Sequence, residues 1–307
     1  MKLIVHGQQA YGKSVLEAIL DKGVDEVVAV YCAPDKEGRP LDPIKEFAQQ
    51  KGLPIYQPES YKNPEVWKQL GSHEADLCVM AYVLLFVPEE ALNVPRLGSI
   101  QYHPSLLPWH KGPSSINWPI IMGKKKTGLT IFWPDNGLDT GPILLQKEVD
   151  IEPDDTLGSV YFDKLYPLGV EAMMESIELV RNGNAPREAQ DPDAGSYEGW
   201  CRKDDVQIDW NKPSDEVYNL IRGANPQPGA WTTFNGAEVR VFDSRKADGS
   251  GTPGSVLALD DDGVVVATAD AAIRIHKVRA DAGKVTAGEY AAAVGLEVGS
   301  SLGSQAT

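Results

Sequence analysis

The chain has 307 residues, of which 42% are hydrophobic and 24% charged, and its net charge is −15 at pH 7. This length allows two domains with separate hydrophobic cores. The acidic balance disfavours a protein whose main task is to hold nucleic acid phosphates, and no run of eighteen apolar residues is present to span a membrane.

The apolar run at the N-terminus is too short for a signal peptide, so we expect a cytoplasmic protein with no membrane partner. The three cysteines, Cys32, Cys78 and Cys201, have neither zinc-like nor CxxC spacing. We therefore expect reduced thiols and no metal site.

Apolar runs alternate with helical patterns through residues 1–185, which predicts an α/β domain with a Rossmann-like, mostly parallel sheet. The long helix near Thr156–Asn182 has polar residues at its start and Gly183 just past its end. The predicted strands are Lys2–His6, Glu26–Cys32, Pro54–Gln57, Leu77–Tyr82, Ser99–His103, Leu129–Trp133 and Ile143–Val149, and the shorter helices are Lys13–Lys22, Pro43–Lys51, Glu65–Gly71 and Ser115–Met122.

Residues 186–203 are rich in Pro, Asp, Ala and Gly and are predicted to form a linker. Residues 204–307 then form a second domain, with one helix at Ser214–Arg222 and a Gly/Ser-rich end at 296–307 that we expect to fray. Short strands between Gly and Asp turns predict a small β-barrel-like fold. These strands are Trp231–Phe234, Ala237–Phe242, Gly254–Leu259, Gly263–Thr268 and Ala272–Val278.

Residues 7–14 match the phosphate-binding pattern GxxxxGK[ST] between a predicted strand and a predicted helix. A nucleotide triphosphatase or kinase is therefore one alternative. Against it, the interior residues Gln8, Gln9 and Tyr11 are bulky, whereas a phosphate cradle exposes backbone amides. No strand ends in a clear metal-binding Asp, and an ordinary strand–turn–helix is favoured.

Two segments combine strand ends with reactive side chains. The strand Ser99–His103 delivers His103 at its carboxyl end, where ligands bind in an open parallel sheet. The strand Leu129–Trp133 is followed by an acidic, glycine-rich loop that contains Asp139. Each feature alone is more often structural. Together, on successive strands, they predict that an imidazole and a carboxylate meet in one site.

The motifs Gln101-x-His103-Pro-Ser-Leu-Leu-Pro108 and Gly137-Leu-Asp139-Thr-Gly141 resemble the folate-dependent formyltransferase family. The resemblance covers nearly the whole chain. It is most like the hydrolase domain of 10-formyltetrahydrofolate dehydrogenase, and methionyl-tRNA formyltransferase is a second similar branch. The resemblance implies 10-formyltetrahydrofolate as co-substrate, with no metal.

The resemblance also implies the roles of the catalytic residues. Attack on a formamide builds negative charge on its oxygen, so the site needs a hydrogen-bond donor and an acceptor for the proton that leaves. His103 would supply the donor, and Asp139 would act as a base or orient the imidazole. The family's transferases usually carry Asn where this chain has Gln101, whose side chain reaches ~1.5 Å further. Gln101 remains a third catalytic candidate.

The folate ring is expected to lie against the loops that follow two strands, with a third apolar segment nearby, because apolar walls and backbone hydrogen bonds suit a flat heteroaromatic ring. His110 and Lys111 could meet the acceptor or the acidic tail of the folate. The residues implied for the donor are Tyr82, Leu84, Leu85, Leu106, Leu107, Pro108, Asp135, Gly137 and Leu138.

The formyl acceptor stays open at the sequence level. Water or a small amine is the first hypothesis, and initiator tRNA is the second. Against tRNA, the loop between Pro34 and Pro43 is short and the second domain is acidic. A folate-binding module that has lost turnover through Gln101 is a non-catalytic alternative. The oligomeric state is not indicated.

Overall fold

The computed structural model describes residues 1–280 and 283–303. The chain divides into two compact units, and each unit is built from three separate segments of the sequence. The predicted linker, 186–203, is divided between them at residue 197, because the backbone of its first part is hydrogen-bonded to unit 1, at Ile143 and at Lys111. Unit 1 comprises Met1–Gly112, Gly128–Val149 and Lys164–Tyr197, and unit 2 comprises Pro113–Thr127, Asp150–Asp163 and Glu198–Thr307.

Unit 1 is built on a seven-stranded sheet in the order β3-β2-β1-β4-β5-β6-β7. The strands from β3 to β5 are parallel to one another, which confirms the Rossmann-like prediction, whereas β6 runs antiparallel to β5. The buried runs of β1 and β4 are apolar on both faces, as strands covered on both sides require. The bounds are β1 Lys2–Gly7, β2 Glu26–Tyr31, β3 Ile55–Tyr56, β4 Leu77–Ala81, β5 Ser99–His103, β6 Lys126–Phe132 and β7 Ile143–Asp150.

The helices of unit 1 begin at recognisable caps. The side chains of Asp42 and Asn63 each accept a backbone N–H of the first turn, and proline follows each of them. Gly23 adopts the left-handed conformation that ends the first helix. The bounds are α1 Gln9–Lys22, α2 Pro43–Gln50, α3 Pro64–Ser72, α4 Glu89–Leu92 and α7 Tyr166–Arg181.

The long helix predicted near Thr156–Asn182 is interrupted. A capping box at Thr156 starts α6 (Leu157–Ser159), a π-helical segment spans Val160–Leu165, and α7 follows. Pro167, in the first turn of α7, has no N–H to continue an α-helical ladder from the preceding turn. The interruption therefore lies where the sequence removes a hydrogen-bond donor.

Unit 2 contains a six-stranded antiparallel sheet in the order β10-β11-β12-β9-β8, with β13 paired to β12. Helix α9 and strand β13 were not predicted. The expected fraying is wrong for 296–303, because Leu296 and Leu302 are buried in the core; residues 304–307 lie outside the described residues. The bounds are α5 Asn117–Ile121, α8 Ser214–Gly223, α9 Ala287–Val294, β8 Ala230–Phe234, β9 Ala237–Ala247, β10 Val256–Asp260, β11 Gly263–Ala267, β12 Ala272–Ala280 and β13 Gly283–Thr286.

An aromatic cluster under the sheet of unit 1 holds two histidines. Nε2 of His6 lies 2.9 Å from the Tyr61 hydroxyl, and Nε2 of His73 lies 3.0 Å from that of Tyr31. Burial lowers the pKa of His6 to about 3 and also lowers the pKa of His73. Both rings thus resist protonation in the folded chain.

The buried His6 makes the stability of unit 1 sensitive to acid. Between pH 6.5 and 3 the unfolded chain binds a proton at this ring that the folded chain does not, so the free energy of unfolding falls as pH falls. We expect His6 to contribute about 2 kcal/mol of the loss between pH 6.5 and 5. Urea unfolding of His6→Gln should show a shallower loss over this range than wild type; equal slopes would contradict this expectation.

Candidate active site

His103 ends strand β5 and is buried, with 6% of its surface exposed. Side chains alternate across a strand, so Gln101 lies on the same face as His103. Tyr102 points to the opposite face, where its ring packs 4.4 Å from that of Tyr11. The sequence of β5 thus presents an amide and an imidazole together on one side of the sheet, with an aromatic anchor on the other.

Asp139 reaches His103 by a different route from the one predicted. The prediction placed His103 and the acidic loop at the ends of successive strands of a parallel sheet. Strand β6 instead runs antiparallel to β5, with Phe132 opposite Gln101 and Thr130 opposite His103. The loop from Trp133 to Pro142 therefore has to fold back to bring Asp139 to the imidazole.

The two side chains are close and shielded from solvent. Nδ1 of His103 lies 3.7 Å from Oδ2 of Asp139, and each side chain is 8% exposed. The backbone N–H of Gly112 donates to Oδ2 of Asp139 at 2.9 Å. Nε2 of His103 lies 3.0 Å from the carbonyl oxygen of His110. Both partners of the pair thus come from the short segment that follows β5.

These contacts assign a role to each ring nitrogen. A carbonyl oxygen only accepts hydrogen bonds, so Nε2 of His103 carries a proton. In the neutral ring, Nδ1 is then the free acceptor, and it faces the Asp139 carboxylate. A proton taken up at Nδ1 would be held between two groups that both attract it. This geometry allows the pair to accept and return one proton.

The backbone of Asp139 is strained. Its φ is +56°, in the left-handed region, which costs energy in a residue other than glycine. The loop compensates with internal hydrogen bonds, since Oδ1 of Asp135 accepts both the Gly137 N–H and the Thr140 hydroxyl. The Gln190 amide donates to the Asp139 and Gly141 carbonyls. A strained residue held by its surroundings is a common feature of functional sites.

The residues predicted to hold a flat ligand differ in their exposure: those on two loops are largely open to solvent, and those of a third segment are more enclosed. Tyr82, Leu84, Leu85 and Leu138 expose between 37% and 56% of their surface, which leaves an unusual apolar surface on two loops. Reciprocal hydrogen bonds between Asn136 and Glu89 tie the loop of Asp135 and Gly137 to helix α4, just after the loop of the first three.

The third predicted segment is more enclosed. Leu107 is only 2% exposed, so its side chain packs in the core. Leu106 and Pro108 are half-buried, and Leu106 packs over the backbone of Gly128. The backbone of Leu107 bonds the Thr130 hydroxyl and the Gln146 amide.

An open cleft of about 580 Å³ lies at the topological switch point of the sheet. Gln8 and Gln9 follow β1 on one side of it, and Leu84 and Leu85 follow β4 on the other. Strands β1 and β4 are neighbours whose crossovers diverge, which is where open α/β sheets bind ligands. His103 lies at the same edge, one strand further along.

The phosphate-binding pattern of residues 7–14 has a structural explanation. A Cβ on Gly7 would lie 2.6 Å from the Ala81 carbonyl oxygen, and Gly12 packs against Gly7, so both glycines serve helix–strand packing. The N–H of Gln9, at the start of α1, already donates to Asp42 at 2.7 Å. The Ser14 hydroxyl bonds that of Tyr166. The Asp42 carboxylate thus already accepts the hydrogen bond of a backbone N–H that a phosphate would need.

Sequence reasoning missed several groups that shape this site. Gln190 and Ser196 lie in the segment that was predicted to be a linker, and the composition of that segment gave no indication that it contacts the site. His110 contributes its carbonyl rather than its imidazole to His103, and its φ of +55° shows that the segment turns sharply there. The backbone of Lys111 pairs with Tyr197.

The described residues contain neither a metal-binding group nor a membrane-spanning helix. Among residues 1–280 and 283–303, no group of three or more His, Cys, Asp or Glu is arranged to hold a metal ion. Within those same ranges, no helix has both the length and the apolar character needed to cross a membrane.

Two family models match the sequence. The model described as formyl transferase matches residues 1–177, and the model described as formyl transferase, C-terminal domain, matches residues 201–293. Together they cover both the site and most of the antiparallel sheet. The motifs around His103 and Asp139 fall inside the first match.

Curated relatives are similar at two scales. The cytosolic 10-formyltetrahydrofolate dehydrogenase of Mus musculus is 42% identical over 249 residues, 80% of this chain and 27% of the relative. The mitochondrial enzyme of Homo sapiens is 39% identical over 84% of this chain and 28% of its own length. The chain thus spans little more than a quarter of these relatives. Methionyl-tRNA formyltransferase of Clostridioides difficile (strain 630) is 35% identical over 99% of this chain and 100% of its own.

Solved structures share the fold at low identity. HypX from Aquifex aeolicus, solved in complex with tetrahydrofolic acid, aligns with a TM-score of 0.67 at 19% identity over 94% of this chain and 46% of its own. WlaRD, a sugar 3N-formyl transferase solved in the presence of dTDP and 5-N-formyl-THF, aligns with a TM-score of 0.68 at 21% identity, over 90% of this chain and 97% of its own.

Proposed function

This chain belongs to the formyl transferase family, and from that premise we propose that it takes the formyl group from 10-formyltetrahydrofolate and passes it to water or a small amine. The observation that carries the proposal is the buried pair of His103 and Asp139, 3.7 Å apart. The pair combines a hydrogen-bond donor with a carboxylate, the two groups that formyl transfer requires.

The donor can be matched to residues of unit 1. A folate has a flat heteroaromatic ring, and the exposed apolar residues Tyr82, Leu84, Leu85 and Leu138 offer it a surface. The half-buried Asp135 and the backbone of Gly137 add polar groups beside that surface. These residues fit the donor, and a contact of the donor with Leu107, whose side chain is buried, stays a prediction.

The reaction then follows from the site. The nucleophile forms a bond to the formyl carbon, and the carbonyl electrons move to the oxygen, where the amide of Gln101 donates a hydrogen bond and His103 donates a second one from Nδ1 once that nitrogen carries a proton. Asp139 draws the proton from the nucleophile, directly or through Nδ1 of His103. When the bond between carbon and N10 breaks, that proton ends on N10. The products are tetrahydrofolate and either formate or a formylated amine.

Charge and the residue at position 101 support water or a small amine as the acceptor. The chain carries a net charge of −15, whereas RNA binding relies on basic surface. The loop between Pro34 and Pro43 exposes Lys36 and Arg39 and is short. Gln101, in place of the Asn usual in the family's transferases, also fits the hydrolase branch that the sequence resembles.

One observation favours initiator tRNA as a second candidate acceptor. A methionyl-tRNA formyltransferase matches this chain over 99% of its length and 100% of its own. The two acceptors therefore need a direct comparison.

The comparison uses 10-formyltetrahydrofolate alone, then with a panel of small amines, then with methionyl initiator tRNA. We expect tetrahydrofolate to accumulate with water or an amine as acceptor, followed by its absorbance, and we expect tRNA to add no rate. Transfer that requires tRNA would replace the first acceptor with the second. Tight binding of tetrahydrofolate without turnover under any condition would instead indicate a binding module.

Gln101→Asn sharpens the comparison. The shorter amide restores the residue usual in the family's transferases at a half-buried position, where no hydrogen bond ties the Gln101 side chain to another described residue. We expect amine transfer to rise relative to hydrolysis, measured as the ratio of formylated amine to formate. An unchanged ratio would make Gln101 a bystander.

A further inference from the structure

We propose that residues 186–197 form a strap that sets the positions of His103 and Asp139, with Gln190 and Ser196 as its positioning residues; this role rests on the proposed function. The segment was predicted to be part of a linker. Its two ends instead bind the two loops that carry the catalytic pair. Both ends, both loops and the pair lie within unit 1.

The first end of the strap binds the loop of Asp139. Glu188 and Ile143 exchange two backbone hydrogen bonds, of 2.7 and 2.9 Å. The side-chain amide of Gln190 then donates to the Asp139 carbonyl at 3.0 Å and to the Gly141 carbonyl at 2.8 Å. The Pro186 carbonyl accepts the indole N–H of Trp133 at 2.9 Å. The strap thus fixes the backbone on both sides of the strained aspartate.

The second end binds the segment that follows β5. Ser196 donates its N–H to the Pro108 carbonyl, accepts the His110 N–H on its hydroxyl, and accepts the Lys111 N–H on its carbonyl. These three hydrogen bonds measure between 3.0 and 3.1 Å. A Cβ on Gly195 would lie 2.1 Å from the Pro108 oxygen, so only glycine allows this approach.

The residues held by Ser196 are those that orient the pair. His110, whose N–H bonds the Ser196 hydroxyl, gives its carbonyl to Nε2 of His103. Gly112, the next residue after Lys111, gives its N–H to the Asp139 carboxylate. One continuous segment therefore controls the backbone of both loops. A displacement of either loop would change the distance between Nδ1 of His103 and Oδ2 of Asp139.

The chemistry of Gln190 is specific to this task. Bridging two carbonyl oxygens requires two N–H donors on one group, which an amide has and a carboxylate lacks. Oε1 of Gln190 is buried and has no hydrogen-bond partner among the described residues. Leaving a buried acceptor unpaired is unfavourable. The amide is thus placed for its two donors, at the expense of its oxygen.

The variants that test the strap remove its hydrogen-bonding side-chain groups one at a time. Gln190→Ala deletes the amide, Gln190→Glu keeps its size and shape but loses the paired donors, and Ser196→Ala deletes one acceptor. Ser196→Thr keeps the hydroxyl and serves as the rescue. Asp193→Ala is the matched control, because Asp193 lies in the exposed middle of the strap and its side chain has no hydrogen bond or ion pair with another described residue.

Steady-state kinetics with 10-formyltetrahydrofolate separate positioning from folding. We expect Gln190→Ala and Gln190→Glu to lower kcat at least about tenfold with KM changed less than about twofold, because a misplaced pair affects the chemical step and not donor binding. Ser196→Ala should lower kcat less, Ser196→Thr should recover it, and Asp193→Ala should match wild type. The fraction of folded sites, titrated with tetrahydrofolate, corrects each kcat.

Two results would overturn the strap. One is a kcat within about twofold of wild type in both Gln190 variants; the other is a loss that the folded fraction explains entirely. Hydrogen exchange gives a readout independent of turnover: Gln190→Ala should speed exchange in residues 139–143, and Ser196→Ala in 110–112. If wild type has no turnover, the proposed function fails, while the exchange rates still decide whether the strap holds the loops.

Discussion

Replacing His103 with alanine is expected to abolish turnover of 10-formyltetrahydrofolate, lowering kcat by at least about a hundredfold, while tetrahydrofolate binding largely survives. In the proposed reaction the imidazole, protonated at Nδ1, donates to the developing oxyanion, and loss of one such donor typically costs about 10²–10³ in rate. The folate that donates the formyl group is expected to lie on the exposed loops of Tyr82 and Leu138, which the substitution does not alter. Turnover under saturating donor measures the first effect, and equilibrium titration measures the second.

Asp139→Ala should have an effect of the same order, and the double variant should be little worse than either single one. Groups that act as a unit lose most of their contribution when the first is removed. His276→Ala provides the matched control, since His276 lies on β12 in the antiparallel sheet of unit 2. Full activity in His103→Ala or in Asp139→Ala would remove the basis of the proposed function.

Replacing Gly141 with alanine is expected to destabilise unit 1 by about 1–3 kcal/mol, the range for inserting a methyl group into a filled space. A Cβ on Gly141 would lie 1.8 Å from the carbonyl oxygen of Trp133, a backbone atom that cannot rotate away. The neighbouring Pro142 carbonyl accepts the Trp133 N–H at 2.9 Å, so the end of β6 and the start of β7 would have to move apart. Urea unfolding measures the loss.

Turnover of Gly141→Ala should fall as well, by about a hundredfold in the fraction that still folds, because a misplacement of about 1 Å can cost that much. Gly141 is two residues from Asp139 and shares the Gln190 amide with it. Gly71→Ala is the control: a Cβ there meets only Val94, at 3.7 Å, inside helix α3. It should stabilise the chain slightly, and unaltered stability of Gly141→Ala would show that the loop is more adaptable than its geometry indicates.

His103 and Asp139 could be predicted from the sequence because each is tied to a local pattern. His103 ends an apolar strand, and Asp139 lies among glycines in the loop that follows another. Such patterns depend on residues close in the chain, so they survive without knowledge of the fold. The same holds for β5, whose predicted bounds agree with the structure at both ends.

The direction of β6 was beyond that reasoning. An apolar run has the same alternation whether its strand runs parallel or antiparallel to its neighbour, and the connection between β5 and β6 contains only the short helix α5. The sequence therefore suggested two carboxyl strand ends at one edge. The structure reaches the same pair of residues by folding the loop of Asp139 back along the sheet.

The strap shows the opposite limit. Pro, Asp, Ala and Gly in 186–197 have the composition of a linker, yet this segment binds two loops through Gln190 and Ser196. A hydrogen bond to a distant carbonyl leaves no trace in local composition. The pattern at residues 7–14 misleads for a related reason, since its glycines serve packing against Ala81.

By itself, the sequence determined the α/β order of unit 1 and the family, and it predicted the imidazole and the carboxylate that lie together in the structure, because periodicity, turn residues and motif spacing act over short stretches of chain. Only the tertiary structure decided that Asp139 approaches His103 through a strained loop, that Leu107 is withdrawn into the core, and that Gln190 and Ser196 hold both loops. These features depend on which backbone groups meet across long separations in the chain, and that is settled by how the elements pack.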